Sequence, residues 1–489
     1  MKEIFKELDK NLEYLQDELH ADLSFDVLTR TFLIGDKKAG MVYLDGFVKD
    51  DFILILEQLI ETEREELSVD VIQKILDKRI PYFEVSTVNT LDDSIDQILA
   101  GPQVIFVEGE TEAIVIDGRT WMSRGPEEPE LEKSTRGPND GFVETMLFNV
   151  QMIRRRLRDP EFIAEVIKIG NRSNSDVAVT YIKDIADPGL VDIIKTKLKK
   201  INVDGLPLAD KTIEDFLTGN TLNPLPEVRY TERPDLVAAH LLEGKICVII
   251  DNSPTALLLP AVFFDHVQSL EDYRQTPLPG TYLKLVRLAA TVTSLFLPVL
   301  WLLFALQPDL LPSSLEFIGP KKAGTIPIGW QFVLASLGID LVRMASIQVP
   351  NALATSLSLI GALLLGDFAV KVGLFVPETI LYMAIGATSN FAISGFELAL
   401  TIKLLRFILL ILVTLFKLPG FIVGTVIIIG LFLFTKSFGI SYLWPLIPFN
   451  WNALKSYIAR QSILDLSHRR PNIHSPTDSD RYPEDRKDG

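Results

Sequence analysis

Three polar residues form a narrow stripe in a mostly apolar stretch at residues 328–343. Ser336, Asp340 and Arg343 are spaced by four and three positions, which places them on one face of a helix. Ionisable groups inside membrane segments usually have a function, because burying a charge in hydrocarbon is costly. The stripe could line a water-filled pore or form an ion site. Alternatively, the helix lies flat at the membrane surface with its polar side among the lipid headgroups.

A second group of charged residues lies in the next long apolar region. Glu397 precedes it, and Lys403 and Arg406 fall inside it on a shared helix face. Either basic residue could extend its charged end to the interface, or pair with an acid from a neighbouring helix or subunit. Together with the first stripe, these residues are our candidates for an ion pathway.

Several apolar stretches must position these charges. Four of them lack charge over lengths close to the roughly 20 residues that cross a bilayer core: 288–306, 344–366, 379–396 and 418–435. A fifth, 398–416, contains Lys403 and Arg406, and the sixth is 328–343. The sequence therefore predicts an all-α transmembrane domain at 285–437 with about four to six membrane segments.

Basic residues flank both ends of this domain. Arg274, Lys284 and Arg287 precede the first span. Others follow the last one, among them Lys436, Lys455, Arg460, Arg469 and Arg470. By the positive-inside rule, the N- and C-termini are both expected in the cytoplasm, which requires an even number of crossings. Either 328–343 crosses as well, or one segment is re-entrant.

The first 284 residues have the mixed pattern of a soluble α/β (α+β) region. Residues 103–107 and 113–116 predict a β-hairpin, 178–182 and 245–251 predict strands, and a linker rich in proline and charge lies at 124–138. We expect two cytoplasmic subdomains, at 1–125 and 126–284, with Cys247 buried in a strand. Residues 438–489 are expected to form a cytoplasmic tail whose end is disordered.

Known catalytic and cofactor motifs do not occur in the sequence. It has no Walker A loop, GxGxxG, HExxH or GxSxG, and its five histidines lack metal-ligand spacing. One cysteine makes an intrachain disulfide impossible, and a net charge of −16 argues against a nucleic-acid partner. We therefore expect no enzymatic activity, no cofactor and no metal.

An arginine-rich cluster ends the helix predicted near residues 141–158. Arg154, Arg155, Arg156 and Arg158 could bind phosphate or lipid headgroups. The same residues could equally form a solvated helix face that pairs with the acidic surface.

Five stretches in order resemble the A subunits of the GerA-type spore germination receptors. They are RGPNDGFVE at 136–144 with RRR at 154–156, TERPD at 231–235, EDY at 271–273, LLLG at 363–366 with LLRF at 404–407, and YLWPLIP at 442–448. The opening residues and the overall length favour the stage V sporulation branch of this family.

This resemblance implies a subunit of an ion channel in the inner spore membrane that releases monovalent cations during germination. It implies a homo-oligomeric ring, commonly thought pentameric, that works with other spore membrane proteins in the lipid bilayer. A secondary transporter component and a membrane-anchored scaffold are the alternatives. The family motifs also give seven candidates for a subunit or subdomain interface: Arg136, Glu144, Arg154, Arg155, Glu232, Arg233 and Asp235.

Overall fold

The computed structural model describes residues 2–34, 36–47, 84–118, 132, 135–219, 222–311, 319, 324–348 and 368–462. The chain divides into two compact units. Among the described residues, the α/β unit comprises those within 2–219 and 230–260, and the helical unit comprises those within 222–229 and 261–462. Three sequence-predicted parts lie outside the described residues: the tail beyond residue 462, most of the linker at 124–138, and residues 349–366 of the apolar stretch 344–366.

The α/β unit begins with an antiparallel sheet of order β1-β2-β4-β5-β3. Its apolar face packs against two amphipathic helices, and Leu12, Leu15 and Ile98 fill the space between them. Most of its strands are rich in β-branched residues, which favour extended backbone. The elements are α1 (Leu8–Glu18), β1 (Val27–Ile34), β2 (Lys37–Leu44), β3 (Glu84–Val88), α2 (Leu91–Ala100), β4 (Gln103–Val107) and β5 (Ala113–Asp117).

A second sheet follows, of order β6-β7-β9-β10-β8. Its strands are β6 (Phe162–Ile169), β7 (Ser175–Ile182), β8 (Arg229–Thr231), β9 (Ile246–Ile250) and β10 (Ala256–Leu259). Its helices are α3 (Met146–Arg154), α4 (Pro188–Lys199), α5 (Ala209–Thr218) and α6 (Pro234–Leu241). When the strands of each sheet are numbered from one to five in chain order, both sheets have the order 1-2-4-5-3. The two sheets therefore share one topology.

The two modules also share their helix-start contacts. Asn11 of α1 bonds both the amide and the carbonyl of Phe5, at 2.8 and 2.6 Å, and Asn149 of α3 bonds Val143 at the same two distances. The first helical amide of each module donates to a carboxylate just after the fourth strand. Glu108 accepts from Leu8, and Asp251 accepts from Met146. The α/β unit therefore contains two copies of one structural module.

The helical unit contains three helices long and apolar enough to cross a membrane, among the residues that the structure describes. Their apolar residues and few charges favour long helices in a bilayer. The helices of this unit are α7 (Phe263–Val267), α8 (Leu270–Arg274), α9 (Pro277–Leu306), α10 (Ile328–Gln348), α11 (Ala369–Lys371), α12 (Pro377–Phe391), α13 (Phe396–Phe434) and α14 (Trp451–Ile458). A 3₁₀ turn at Pro308–Leu310 follows α9.

Helix α13 reverses direction at Lys417, whose φ of 52° and ψ of −131° are not helical. A Cβ placed on Gly424 would lie 2.4 Å from a methyl of Leu409, and one on Gly420 would lie 2.1 Å from the Leu412 carbonyl oxygen. In a straight helix, residues 409 and 424 would be about 22 Å apart, at about 1.5 Å per residue. The arms 396–416 and 418–434 therefore pack against each other as a helical hairpin.

Contacts along the hairpin show in which direction α9 and α10 run beside it. Gly329, at the start of α10, lies against Thr414 near the tip, whereas Arg343 lies over the ring of Phe396 at the base. Helix α10 thus runs the length of the hairpin. Arg287 near the start of α9 bonds the carbonyl of Ala392, while Gln307 after α9 accepts a hydrogen bond from Leu418 at the tip.

The sequence-predicted fold class is confirmed by an α/β region followed by apolar helices. Two details differ. The stretch 379–396 is not one helix, because α12 ends at Phe391 and the Gly395 amide donates to the carbonyl of His266. The stretches 398–416 and 418–435 are the two arms of one hairpin.

Cys247 lies in β9 and is fully buried, and burial raises the pKa of its thiol to about 12. Since the thiolate is the reactive form, the folded protein should resist alkylation at pH 8. We expect no mass shift with iodoacetamide in detergent and complete modification after denaturation. Rapid modification of the native protein would contradict a closed core around β9.

Close packing of the hairpin arms predicts a large effect at Gly424. Leucine at this position would overlap Leu409, and overpacking typically costs about 1–3 kcal/mol. Gly430→Leu is the matched control, because a Cβ there would be 4.0 Å from its nearest neighbour. Thermal unfolding in detergent should show a lower midpoint for Gly424→Leu than for the control. Equal midpoints would mean that the arms do not touch at Gly424.

Candidate functional site

The most buried ion pair among the described residues of the α/β unit joins its two modules. Arg154 at the end of α3 donates from Nε and Nη2 to the two carboxylate oxygens of Asp26, at 2.7 and 2.9 Å. Both side chains are 2% exposed. The guanidinium also lies 4.6 Å from the ring centroid of Phe162. A fork of this kind matches a carboxylate in geometry as well as charge, so it fixes both the orientation and the spacing of the modules.

A second buried arginine anchors the segment before α3. Arg233 is 2% exposed, and its Nη2 donates to Asp235 and to the carbonyl of Pro138, each at 3.0 Å. The Arg233 side chain therefore links the start of α6 to Pro138, in the segment before α3.

The other candidates of the α/β unit lie closer to solvent. Arg136, Glu144 and Arg155 are exposed, and Glu232 is half-buried. The backbone carbonyls of Glu144 and Glu232 accept hydrogen bonds from Asn252 and Phe142, at 2.7 and 2.8 Å.

The structure brings together charged residues from the two groups of the helical unit. Lys403 of α13 forms an ion pair with Asp340 of α10, with the lysine side chain 14% exposed and the aspartate 33% exposed. The Arg343 guanidinium lies 4.9 Å from the ring centroid of Phe396. Both contacts join α10 to the first arm of the hairpin. The polar stripe of α10 therefore faces the hairpin.

The other face of α10 is apolar and exposed. Its exposed side chains follow a spacing of three and four residues: Leu334, Leu337, Leu341 and Met344. The polar stripe also includes Ser336, which is buried, with a hydroxyl that has no hydrogen-bond partner among the described residues. Glu397 lies in the first turn of α13, where its charge complements the helix dipole.

Arg406 is buried where three helices meet. Its Nη1 donates to the carbonyl and hydroxyl oxygens of Ser294, at 3.1 and 3.2 Å, and the Ser294 hydroxyl is 3.1 Å from the Asn390 side-chain oxygen. Pro298 explains why this carbonyl is available. Proline has no N–H, so the carbonyl four residues earlier loses its helical partner.

Space for this arrangement comes from α12. A Cβ on Gly386 would lie 2.7 Å from the Pro298 ring and 3.0 Å from Arg406 Nη1. Arg406 therefore bonds the α9 carbonyl that Pro298 leaves without a helical partner. Because Gly386 has no side chain, α12 can pack closely against α9. A proline in an apolar helix indicates a freed carbonyl at sequence level, but not which residue will bond it.

Sequence reasoning did not identify Asp26, Ser294 or Asn390. All three are ordinary polar residues without a motif, and their partners are distant in sequence. Within the part of the chain that the structure describes, no group of three His, Cys, Asp or Glu side chains could hold a metal ion.

Comparison with known proteins gives the family of this chain. The family model described as Bacillus/Clostridium GerA spore germination protein matches residues 13–473. The chain belongs to the GerA spore germination family. The resemblance carried by the five sequence stretches is therefore confirmed.

Members of the GerA family match along almost the whole chain. The stage V sporulation protein AF of Bacillus subtilis is 42% identical over 482 residues, which cover 98% of this chain and 97% of that protein. Spore germination protein GerLA of Bacillus cereus is 30% identical over 489 residues, covering 98% and 99% of the two chains. The favoured branch of the family is thereby confirmed.

A solved structure is also similar. It is the N-terminal domain of the A subunit of the Bacillus megaterium spore germinant receptor GerK3, at 27% identity and a TM-score of 0.41. The match covers 54% of this chain and 98% of that domain.

The Arg154–Asp26 pair predicts a strong dependence of stability on either residue. Arg154→Met leaves a buried carboxylate without its partner, which typically costs about 3–5 kcal/mol. Arg172→Met is the control, because the pair of Arg172 with Asp204 is 85% and 82% exposed, and such pairs contribute about 0–1 kcal/mol.

Urea unfolding of the full chain in detergent, followed by far-ultraviolet circular dichroism, measures the difference. We expect the transition of the α/β unit to move to lower urea only in Arg154→Met. The double variant Asp26→Leu with Arg154→Met should recover part of the loss, since no unpaired charge remains. Identical transitions for Arg154→Met and the wild type would show that the pair does not hold the modules.

Proposed function

We propose that this chain is one subunit of an oligomeric channel that releases monovalent cations across the spore membrane during germination. The role is transport rather than catalysis. Family membership supports the link with germination, because the relatives include proteins named spore germination proteins. The three long apolar helices support membrane association.

The observation that carries the transport proposal is the Asp340–Lys403 ion pair within an apolar bundle. Charges at such positions are expensive to keep, so a pair that joins two helices is a functional candidate. The Asp340 carboxylate could attract a cation. In this structure Lys403 neutralises it, which corresponds to a closed pathway in our proposal. Separation of α10 from the hairpin would expose the carboxylate.

Helix α10 is also the helix best suited to lie between subunits. In the most apolar part of α10, a third of the residues are buried within the chain, compared with half in α13. In the proposed pentameric ring, the exposed stripe of Leu334, Leu337, Leu341 and Met344 contacts a neighbouring copy or lipid. Other spore membrane proteins complete the assembly.

The contacts at the base of the hairpin give the proposed orientation of the bundle in the membrane. The base of the hairpin and the start of α9 lie at one end of the bundle, as the bond from Arg287 to Ala392 and the bond from Gly395 to His266 indicate. We propose that this end faces the cytoplasm, in agreement with the basic flanks. Both chain termini would then be on the cytoplasmic side of the inner spore membrane.

The charge pair gives the decisive test of the proposal. Purified protein, alone and with the spore membrane proteins that co-purify with it, is reconstituted into vesicles and K⁺ efflux is recorded. Lys403→Gln should increase efflux because it leaves Asp340 uncompensated, and Asp340→Asn should reduce efflux. Asp309→Asn, an exposed position in the turn after α9, is the control and should behave as wild type.

Two results would refute the proposal. One is the absence of K⁺ and Na⁺ flux from every preparation, including those with the co-purified proteins. The other is flux that is the same in wild type, Lys403→Gln and Asp340→Asn.

A further inference from the structure

A short apolar loop protrudes from the helical unit after the hairpin. Leu446, Ile447, Phe449 and Trp451 are all exposed, the last two at 67% and 62%. Phe449 and Trp451 lie with their ring centroids 6.5 Å apart. A contiguous group of large exposed apolar side chains usually marks a contact surface. We name residues 446–451 the aromatic loop.

The base of the aromatic loop is fixed. Tyr442 is fully buried, and its amide donates to the carbonyl of Thr435 at 3.1 Å. Within the loop, the Asn450 amide donates to the Pro445 carbonyl at 3.0 Å, and the Asn450 side chain accepts from Ala453 to cap α14. The apolar side chains are therefore held outward on a folded base.

The aromatic loop lies at the base end of the hairpin. Thr435 directly follows α13, whose second arm carries exposed apolar residues as far as Phe434, at 84% exposure. Helix α14 begins at Trp451, the last residue of the loop, and its Ser456 carbonyl accepts a hydrogen bond from Lys284 near the start of α9. The apolar surface of the arm thus ends beside the loop, near the point where α9 begins.

These features favour a lipid surface over another protein. Tryptophan and other aromatic residues concentrate where the acyl chains meet the headgroups, because their rings are apolar and their edges are polar. The exposed Lys436 and Lys455 flank the loop on either side in sequence, where they could reach lipid phosphates. The loop also continues the exposed apolar surface of a membrane helix.

We propose that the aromatic loop inserts into the boundary between headgroups and acyl chains, and so fixes the depth of the helical bundle in the bilayer. The inference rests on the proposed membrane function only in requiring that the bundle spans the bilayer. It does not depend on ion conduction.

Spin labels can measure this depth in the full chain. Because Cys247 is buried, the wild-type protein serves as the unlabelled background. Phe449→Cys and Trp451→Cys carry the label in the loop. Ile427→Cys, at an exposed position in the second arm of α13, is the lipid control, and Leu208→Cys, exposed in the α/β unit, is the water control.

The labelled proteins are reconstituted into vesicles of phosphatidylcholine and phosphatidylglycerol. Power saturation then compares the accessibility of each label to oxygen, which partitions into lipid, with its accessibility to a water-soluble nickel complex. We expect ratios at positions 449 and 451 that lie between the two controls and several-fold above the ratio at position 208.

Three outcomes would overturn the inference. Ratios at 449 and 451 equal to the water control, with a lipid ratio at 427, would refute the anchor while leaving the membrane bundle intact. Spin–spin broadening at 449 that disappears on dilution with unlabelled protein would identify a second copy as the occupant. A water ratio at 427 would refute both the anchor and the membrane function.

Discussion

A polar group that leaves water must find a partner inside the protein, and this constraint organises the helical unit. In hydrocarbon, an unsatisfied backbone group costs several kcal/mol, so each break in a helix needs a side chain to repair it. Pro298 frees the carbonyl of Ser294, and Arg406 bonds it. The hairpin tip leaves the Leu418 amide outside a regular helix, and Gln307 accepts from it. In both places, the side chain that bonds the freed backbone group also connects α9, or the residue after it, with α13.

Gln331 extends this pattern to the start of α12. It is fully buried, and its side-chain oxygen accepts from the amide of Val376 and the hydroxyl of Thr379, at 2.9 and 3.2 Å. Each of these repairs connects residues far apart in sequence. The bundle is therefore held by a few polar links within a large apolar contact surface. Helix α10 is joined to the hairpin by an ion pair and a cation–π contact.

Much of the architecture could be predicted from local patterns. Hydropathy located the apolar helices, and β-rich runs located the hairpin of β4 and β5, because each depends on neighbouring residues. The identity of long-range partners could not be predicted in this way. Lys403 and Asp340 were candidates in separate groups, and only the folded chain pairs them. Arg154 belonged to a cluster with two open interpretations, and its partner Asp26 carried no sequence signal.

The duplicated module of the α/β unit allows a comparison within a single chain. Asn11 and Asn149 make the same pair of bonds, and Glu108 and Asp251 occupy equivalent positions, so these residues meet requirements of the module itself. Arg154 has no such counterpart. Counted from the start of each helix, its equivalent is Gln16, which is exposed. Each copy thus serves as a reference for the other. The comparison separates the contacts that both modules use to fold from the Arg154 side chain, through which the second module binds the first.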